Sequence, residues 1–583
     1  MKNRLRFKTA LLPAIIAAGL LAAACSDEPD PTTTSTAGSG ISPTATSQAT
    51  AQATTGATST APAATAAATS QPTSTPPSGP SAGGTLKIAS VGSIESFDPL
   101  WTTASGTGNV SHTILEGLFV FTDDYSLGQQ LIDSWSTSSD NLTWTFTIRS
   151  GVEFHDGTPM TTDQVIGTLN RLQARSPVLK LVHEQFGPAA FSDFITKEDD
   201  LTFNVNLESP TGLVLYAIGP QNFAPLIVTD EWAAVSAEVS AEGAPIGTGP
   251  YKFENWTPGD RWSLVRCEEY SPSSDPADGL AGAQIAYFDR VEYIEIADQN
   301  TRTAALETGE VDMAQEFPAD LAPQLAANPD IQLVPLAPNR LLGHFNHLKP
   351  PFDNVIARQA LIKAYDNESA LLLATGDENA IRLCPSLMQC GTSWETDAGS
   401  EGFYNANNVD EARAMIEDAG LAGTRVRLMD PTDRQPAHAG AQVSREVLED
   451  IGFDVEFVVM DWATMVSRRA DPELWEFFHT WSGVTVRSGP VGHLAFGELQ
   501  YDAWFNHYQD VPGTQRALFE QLASATEEGD QRRIMDDFQT YFYEDAIFLQ
   551  VGEFFSQWAA RADLQGIVPE SPAAQLPANK RIE

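Results

Sequence analysis

Cysteine, histidine and positive charge are the scarce materials of this 583-residue chain. Its four cysteines, Cys25, Cys267, Cys384 and Cys390, are too few for a disulfide-built scaffold. None is spaced as Cys-x-x-Cys, which excludes zinc ribbons and thioredoxin-type pairs. The nine histidines include no H-E-x-x-H. His344 and His347 are close, but at i, i+3 on a strand they point to opposite faces, so a shared metal is not expected. Only 34 Lys and Arg stand against 77 Asp and Glu, for a net charge of −43. That balance argues against nucleic acid or an anionic membrane surface as partner. No G-x-S-x-G sits on a strand-to-helix turn, and Gly247-Thr248-Gly249 lacks the Gly-Lys-Ser/Thr of a P-loop. In so acidic a chain, paired carboxylates are first of all solvated surface. Neither an enzyme, a cofactor nor a resident metal is expected.

What is present begins with an export signal. Lys2, Arg4, Arg6 and Lys8 precede the apolar run Leu11–Ala24. A run of about 14 residues suits a cleaved signal better than a bilayer span. Leu21-Ala22-Ala23-Ala24-Cys25 resembles a bacterial lipobox, with Ala22 where leucine is usual. That resemblance implies a lipoprotein signal segment 1–25 whose Cys25 is lipidated and becomes the mature N-terminus, and hence a membrane anchor outside the cytoplasm. Residues 26–83 are Thr, Ala, Ser, Pro and Gly with almost no large apolar side chain. Such a segment buries too little surface to offset its ordering entropy and reads as a tether.

The remainder, 84–583, is long enough for two or three lobes with their own cores. Thr85-Leu86-Lys87-Ile88-Ala89 alternates as an opening strand that Phe97-Asp98-Pro99 breaks. Trp144, Phe146 and Ile148 alternate with threonines as a half-buried strand. Asn408 with Glu411 forms a capping-box pattern before Val409, Ala412, Ile416 and Ala419. Val443, Val447, Leu448 and Ile451 make a further helix that Gly452 ends, and Val455, Phe457 and Val459 a strand. Such α/β units imply two α/β lobes with a cleft between them. Cys384 and Cys390 flank a Pro-containing loop, and in an oxidising compartment a disulfide is the natural pairing. Cys267 would then be a lone, buried thiol.

The segment 131–165 carries a longer pattern. Leu131, Ser134, Trp135, Asp140, Leu142, Phe146, Arg149, Gly151, Val152, Phe154, His155, Asp156, Gly157, Thr158, Pro159, Asp163 and Val165 stand in the order of the family-5 solute-binding proteins of ABC importers. Gly247-Thr248-Gly249-Pro250-Tyr251, residues 303–314 and Arg358-Gln359-Ala360 resemble further motifs of that family. Cys267-Glu268-Glu269-Tyr270-Ser271 departs from it and reads as a rebuilt turn. The resemblance implies a type II, cluster C periplasmic-binding-protein-like fold with an insertion domain. Lobe I would take about 84–130, 218–325 and 540–583, the insertion 131–217, and lobe III 326–539. It implies partner permease and ATPase subunits, and a monomer that closes on a peptide-like or other small organic solute. A nickel chelate, or a sensor or chaperone role without transport, is the alternative.

The same resemblance points to a cleft. Trp481 matches an aromatic that lines it, and Val484 stands where peptide-binding relatives place an aspartate for the ligand's ammonium. Replacing that anion argues against free-amino-terminus peptides, because an unpaired buried charge costs several kcal/mol. Thr485 follows on the same stretch, and Arg487 offers a fork for a carboxylate or phosphate. Trp101 after the Phe97-Asp98-Pro99 break, Arg382 beside the cysteine loop, and Tyr501 with Trp504 complete the candidate substrate-binding set.

Overall fold

In the computed structural model the described residues are 83–91, 94, 96–101, 105–220, 225–236, 239–241, 243–317, 321–469, 471–483 and 513–582. Three sheets organise them. A seven-stranded sheet runs in the spatial order Ile331–Pro335, Gln557–Arg561, Met313–Ala314, Thr85–Ser90, Arg290–Glu295, Arg261–Arg266 and Tyr251–Thr257. A six-stranded sheet runs Ile381–Arg382, Leu549–Phe554, Asn339–Phe345, Phe477–Gly483, Arg425–Pro431 and Asp454–Met460. Ile132–Thr137, Thr143–Ile148, Thr202–Asn206 and Ile195–Lys197 form a four-stranded antiparallel insert.

The opening strand Thr85–Ser90 pairs in parallel with strands on either side of it. A strand so placed is covered on both faces. Leu86 and Ile88 enter the main core, and Ala89 packs from the other face against Ala305 and Leu306. In the insert, Trp144, Phe146 and Ile148 are buried while the intervening threonines are half-buried, as period-two patterning requires. Thr161 opens the helix Thr162–Leu172 through a capping box with Gln164. Asn408 caps Val409–Asp418 through the Glu411 amide. The next helix begins at Gln435, earlier than its apolar stripe indicates, because Pro436 seeds its first turn.

The glycines of Gly247-Thr248-Gly249 are needed by close approach. A Cβ on Gly247 would run into the Ile114 carbonyl, which accepts the Gly249 amide at 2.9 Å. Tyr251 then starts the edge strand. In the rebuilt turn, Cys267 is a buried free thiol and Tyr270 donates to the Glu116 carboxyl at 3.0 Å.

The chain passes between the two large sheets at 336–338 and again at 555–556. Ile331–Pro335, beyond residue 326, pairs with Gln557–Arg561 in the seven-stranded sheet, and Leu549–Phe554, beyond residue 540, pairs in the six-stranded one. Strand pairing thus carries the first sheet past 326 and the second past 540.

A buried ion pair joins the insert to the first sheet's body. Arg171, on the helix Thr162–Leu172, reaches both oxygens of Asp98 at 2.9 and 2.6 Å, with both side chains almost fully enclosed. Asp98 also accepts the Leu100 and Ala241 amides. Arg171→Leu leaves that carboxylate enclosed without its cation. We expect a loss of about 3–5 kcal/mol, read from the urea midpoint.

Glu116 yields a pH prediction. Burial pushes its carboxyl up to about 7, against the opposing pull of the Thr248 hydroxyl, the Arg149 charge and the Tyr270 hydroxyl. Between about pH 4.5 and 7 the folded chain therefore holds a proton that the unfolded chain has lost. Stability is greatest below that window, falls through it and levels off above it, by on the order of 3 kcal/mol. Urea midpoints of the parent and of Glu116→Gln, followed from pH 4.5 to 8, should show this slope in the parent alone.

Candidate functional site

A recess of about 190 Å³ opens between the two large bodies, beside the crossings of the chain. Gln299, Glu316, Phe317 and Ala322 line it from the first body, and Ala374, Thr375, Asp377, Ala380 and Pro436 from the second. Phe554, Phe555, Ser556 and Gln557, at the second crossing, line it as well. Polar and apolar groups share its walls about equally, Phe317, Phe554 and Phe555 are its aromatic side, and its two ionisable lining residues are carboxylates.

Both carboxylates are positioned by local structure. The buried Arg302, on the helix Gln299–Glu307, donates to the carbonyls of Ile296, Ala297, Gln315 and Glu316. Those bonds hold the turn after Met313–Ala314, where Glu316 takes a left-handed φ of 42°. A non-glycine residue there is held by its surroundings. Asp377 follows Gly376, the left-handed C-cap of Asn367–Thr375, and caps the next turn through the Asn379 amide at 2.9 Å.

Of the sequence candidates, Trp481 lies half-buried near the end of Phe477–Gly483, with its ring 4.9 Å from that of Trp462. Arg469 sits over the other indole at 5.8 Å. This aromatic pair stands at the carboxyl ends of the two strands that flank Arg425–Pro431 in parallel, an end of the strands where open α/β sheets place their ligands. Trp101 is half-buried, and its carbonyl accepts from Arg175 at 2.9 Å. Arg382 spends its terminal nitrogens on protein acceptors: Glu570 at 2.6 Å, Glu553 at 3.3 Å and the Cys390 carbonyl at 3.0 Å. Trp101, Arg382 and Trp481 thus sit among different partners. Val484, Thr485, Arg487, Tyr501 and Trp504 lie outside the described residues, as does Cys25.

Cys384 and Cys390 are joined in a disulfide, with Cα atoms 6.0 Å apart. With Glu553 they are also the one group of three metal-capable side chains among the described residues. The bonded sulfurs and the carboxylate's two arginine partners leave no cation site there. His344 is buried against Phe478, and His347 lies past the strand end on the Ile547 carbonyl. Burial pushes His344 and His479 down to about 3.

Sequence reasoning missed Glu316, Asp377 and Trp462. Glu316 stands two residues beyond a recognised motif, but nothing in its spelling marks the Arg302 clamp. Trp462 had one signal: it follows Asp461, whose side chain caps the helix Trp462–Arg468.

Residues 127–498 match the model of the bacterial extracellular solute-binding proteins, family 5. A "Probable peptide ABC transporter periplasmic-binding protein y4tO" of Sinorhizobium fredii is 29% identical over 428 residues, 71% of this chain and 78% of that one. The glutathione-binding protein GsiB of Pectobacterium atrosepticum is 29% identical over 385 residues, 64% and 69% of the two chains. The periplasmic binding protein DppA of Helicobacter pylori, solved with the peptide STSA, superposes with a TM-score of 0.67 at 20% identity. It covers 86% of this chain and 98% of that one. Among the described residues no helix is long and apolar enough to cross a membrane. The chain belongs to the family-5 bacterial extracellular solute-binding proteins, two-lobed substrate-binding proteins of ABC importers and not enzymes.

Proposed function

We propose that this chain captures peptide-like solutes carrying a positive group and presents them to an ABC permease and its ATPase. In this reading it works as a monomer held to the membrane through Cys25 and the 26–83 tether. The observation that carries the ligand class is the recess between the bodies, with Phe317, Phe554 and Phe555 as apolar wall and Glu316 and Asp377 as its anions. Pockets for organic ligands combine such walls with a few placed polar groups. A ligand that touches both bodies favours the arrangement in which both reach it, and that difference in affinity drives closure.

The cationic class also accounts for Val484. If the position that fixes an ammonium in peptide-binding relatives is apolar here, the counter-charge has to come from elsewhere in the cleft. Glu316 and Asp377 supply it. Names of relatives that mention peptides and glutathione support the peptide-like part of the reading.

The first measurement is native mass spectrometry of residues 84–583, with any co-purified molecule released and identified. A peptide-like cation supports the proposal, and an acidic or sugar ligand overturns the ligand class. With a lysine-containing peptide found this way, the double variant Glu316→Gln, Asp377→Asn should lose about tenfold in affinity by calorimetry. Trp481→Ala should weaken binding by a similar factor and shift the melting temperature by only a few degrees, since the indole is half-exposed. Unchanged affinity removes Trp481 from the site.

A further inference from the structure

The crossings between the bodies are bound to each other and to a charge cluster that lies outside the lining of the recess. The Leu336 amide donates to the Ser556 carbonyl at 3.0 Å, so the two crossings run side by side. The Phe555 amide donates to the Ala380 carbonyl at 2.9 Å, and the Phe555 ring lies 4.8 Å beneath the Arg382 guanidinium.

Arg382 belongs to the six-stranded sheet, and so does one of its carboxylate partners, the enclosed Glu553. Its other partner belongs to the first body. Glu570 donates its amide to the Pro335 carbonyl at 2.8 Å, and its own carbonyl accepts from the Tyr125 hydroxyl at 2.8 Å. Its φ of 61° is a left-handed conformation that a non-glycine residue keeps only when its surroundings impose it. Glu570 is therefore fixed to the first body by its backbone, while its side chain crosses to the second.

Glu553 is as firmly set. Arg340 reaches it at 3.1 Å and the Cys390 amide at 3.1 Å, and Arg340 also donates to the carbonyls of Leu387 and Met388 inside the disulfide loop. One guanidinium thus forks between an enclosed carboxylate on one body and a half-exposed carboxylate on the other. Rotation of one body against the other about 336–338 and 555–556 has to break the Arg382–Glu570 contact.

We propose that the Arg382–Glu570 pair is a strut that sets the angle between the two bodies, and that Arg382 is a positioning residue of the hinge with no part in holding the solute. The test is hydrogen exchange by mass spectrometry on the full chain without added solute. Glu570→Gln removes the crossing charge at a half-exposed position. Peptides containing Leu336 and Phe555 should exchange about threefold faster, with those covering Thr85–Ser90 and Arg425–Pro431 unchanged. Arg382→Lys keeps a cation over Phe555 but replaces the planar fork by a single ammonium, and should reproduce the local effect should the first variant not fold. Unchanged exchange at both crossings, or equal acceleration in every strand, overturns the proposal.

Discussion

Two short passages of chain, 336–338 and 555–556, carry the only sheet-to-sheet continuity that the described residues show for the two large sheets, and the rest of the molecule is arranged around them. The seven-stranded sheet draws strands from before and after the passages, whereas every strand of the six-stranded sheet lies between them, so the first body is assembled from two separate stretches of sequence. A hydrogen bond between the passages makes one narrow joint of the two. The recess opens at this joint, where a small change of angle is felt on both of its walls.

Two enclosed ion pairs stand where the bodies and the insert meet. Asp98 with Arg171 fastens the insert to the first body, and Arg340 with Glu553 lies under the joint. Enclosed ion pairs are weak sources of net stability, because desolvation offsets most of their attraction. Their use here is geometric, since each pair is held in place by further hydrogen bonds to the chain around it. The large negative charge of the chain is by contrast a surface property and says nothing about these pairs.

Much of the fold was legible in the sequence because short-range patterns were strong. The Trp144, Phe146 and Ile148 alternation, the Asn408 cap and the glycines at 247 and 249 each have one physical meaning, and the structure gives each that meaning. The joint was less legible. Ile331–Pro335 and Leu549–Phe554 owe their sheets to partners more than two hundred residues away, which no local pattern reports. The recess was least legible of all. Glu316 is placed by four carbonyls converging on Arg302, and Asp377 by the left-handed Gly376, and neither arrangement leaves a motif. Arg382 was singled out for its place beside the cysteine loop, but sequence could not tell that Glu553 and Glu570 take up its charge.

The disulfide loop has a consequence for where the molecule matures. Its carbonyls at Leu387, Met388 and Cys390 are acceptors for the two arginines under the joint, and the Cys384–Cys390 bond closes the loop that presents them. In a reducing compartment the same acceptors ride on an open segment with more freedom to lose. The joint therefore reaches its final setting only where the Cys384–Cys390 bond can form, and a chain with both thiols reduced would hold Arg340 and Arg382 more loosely.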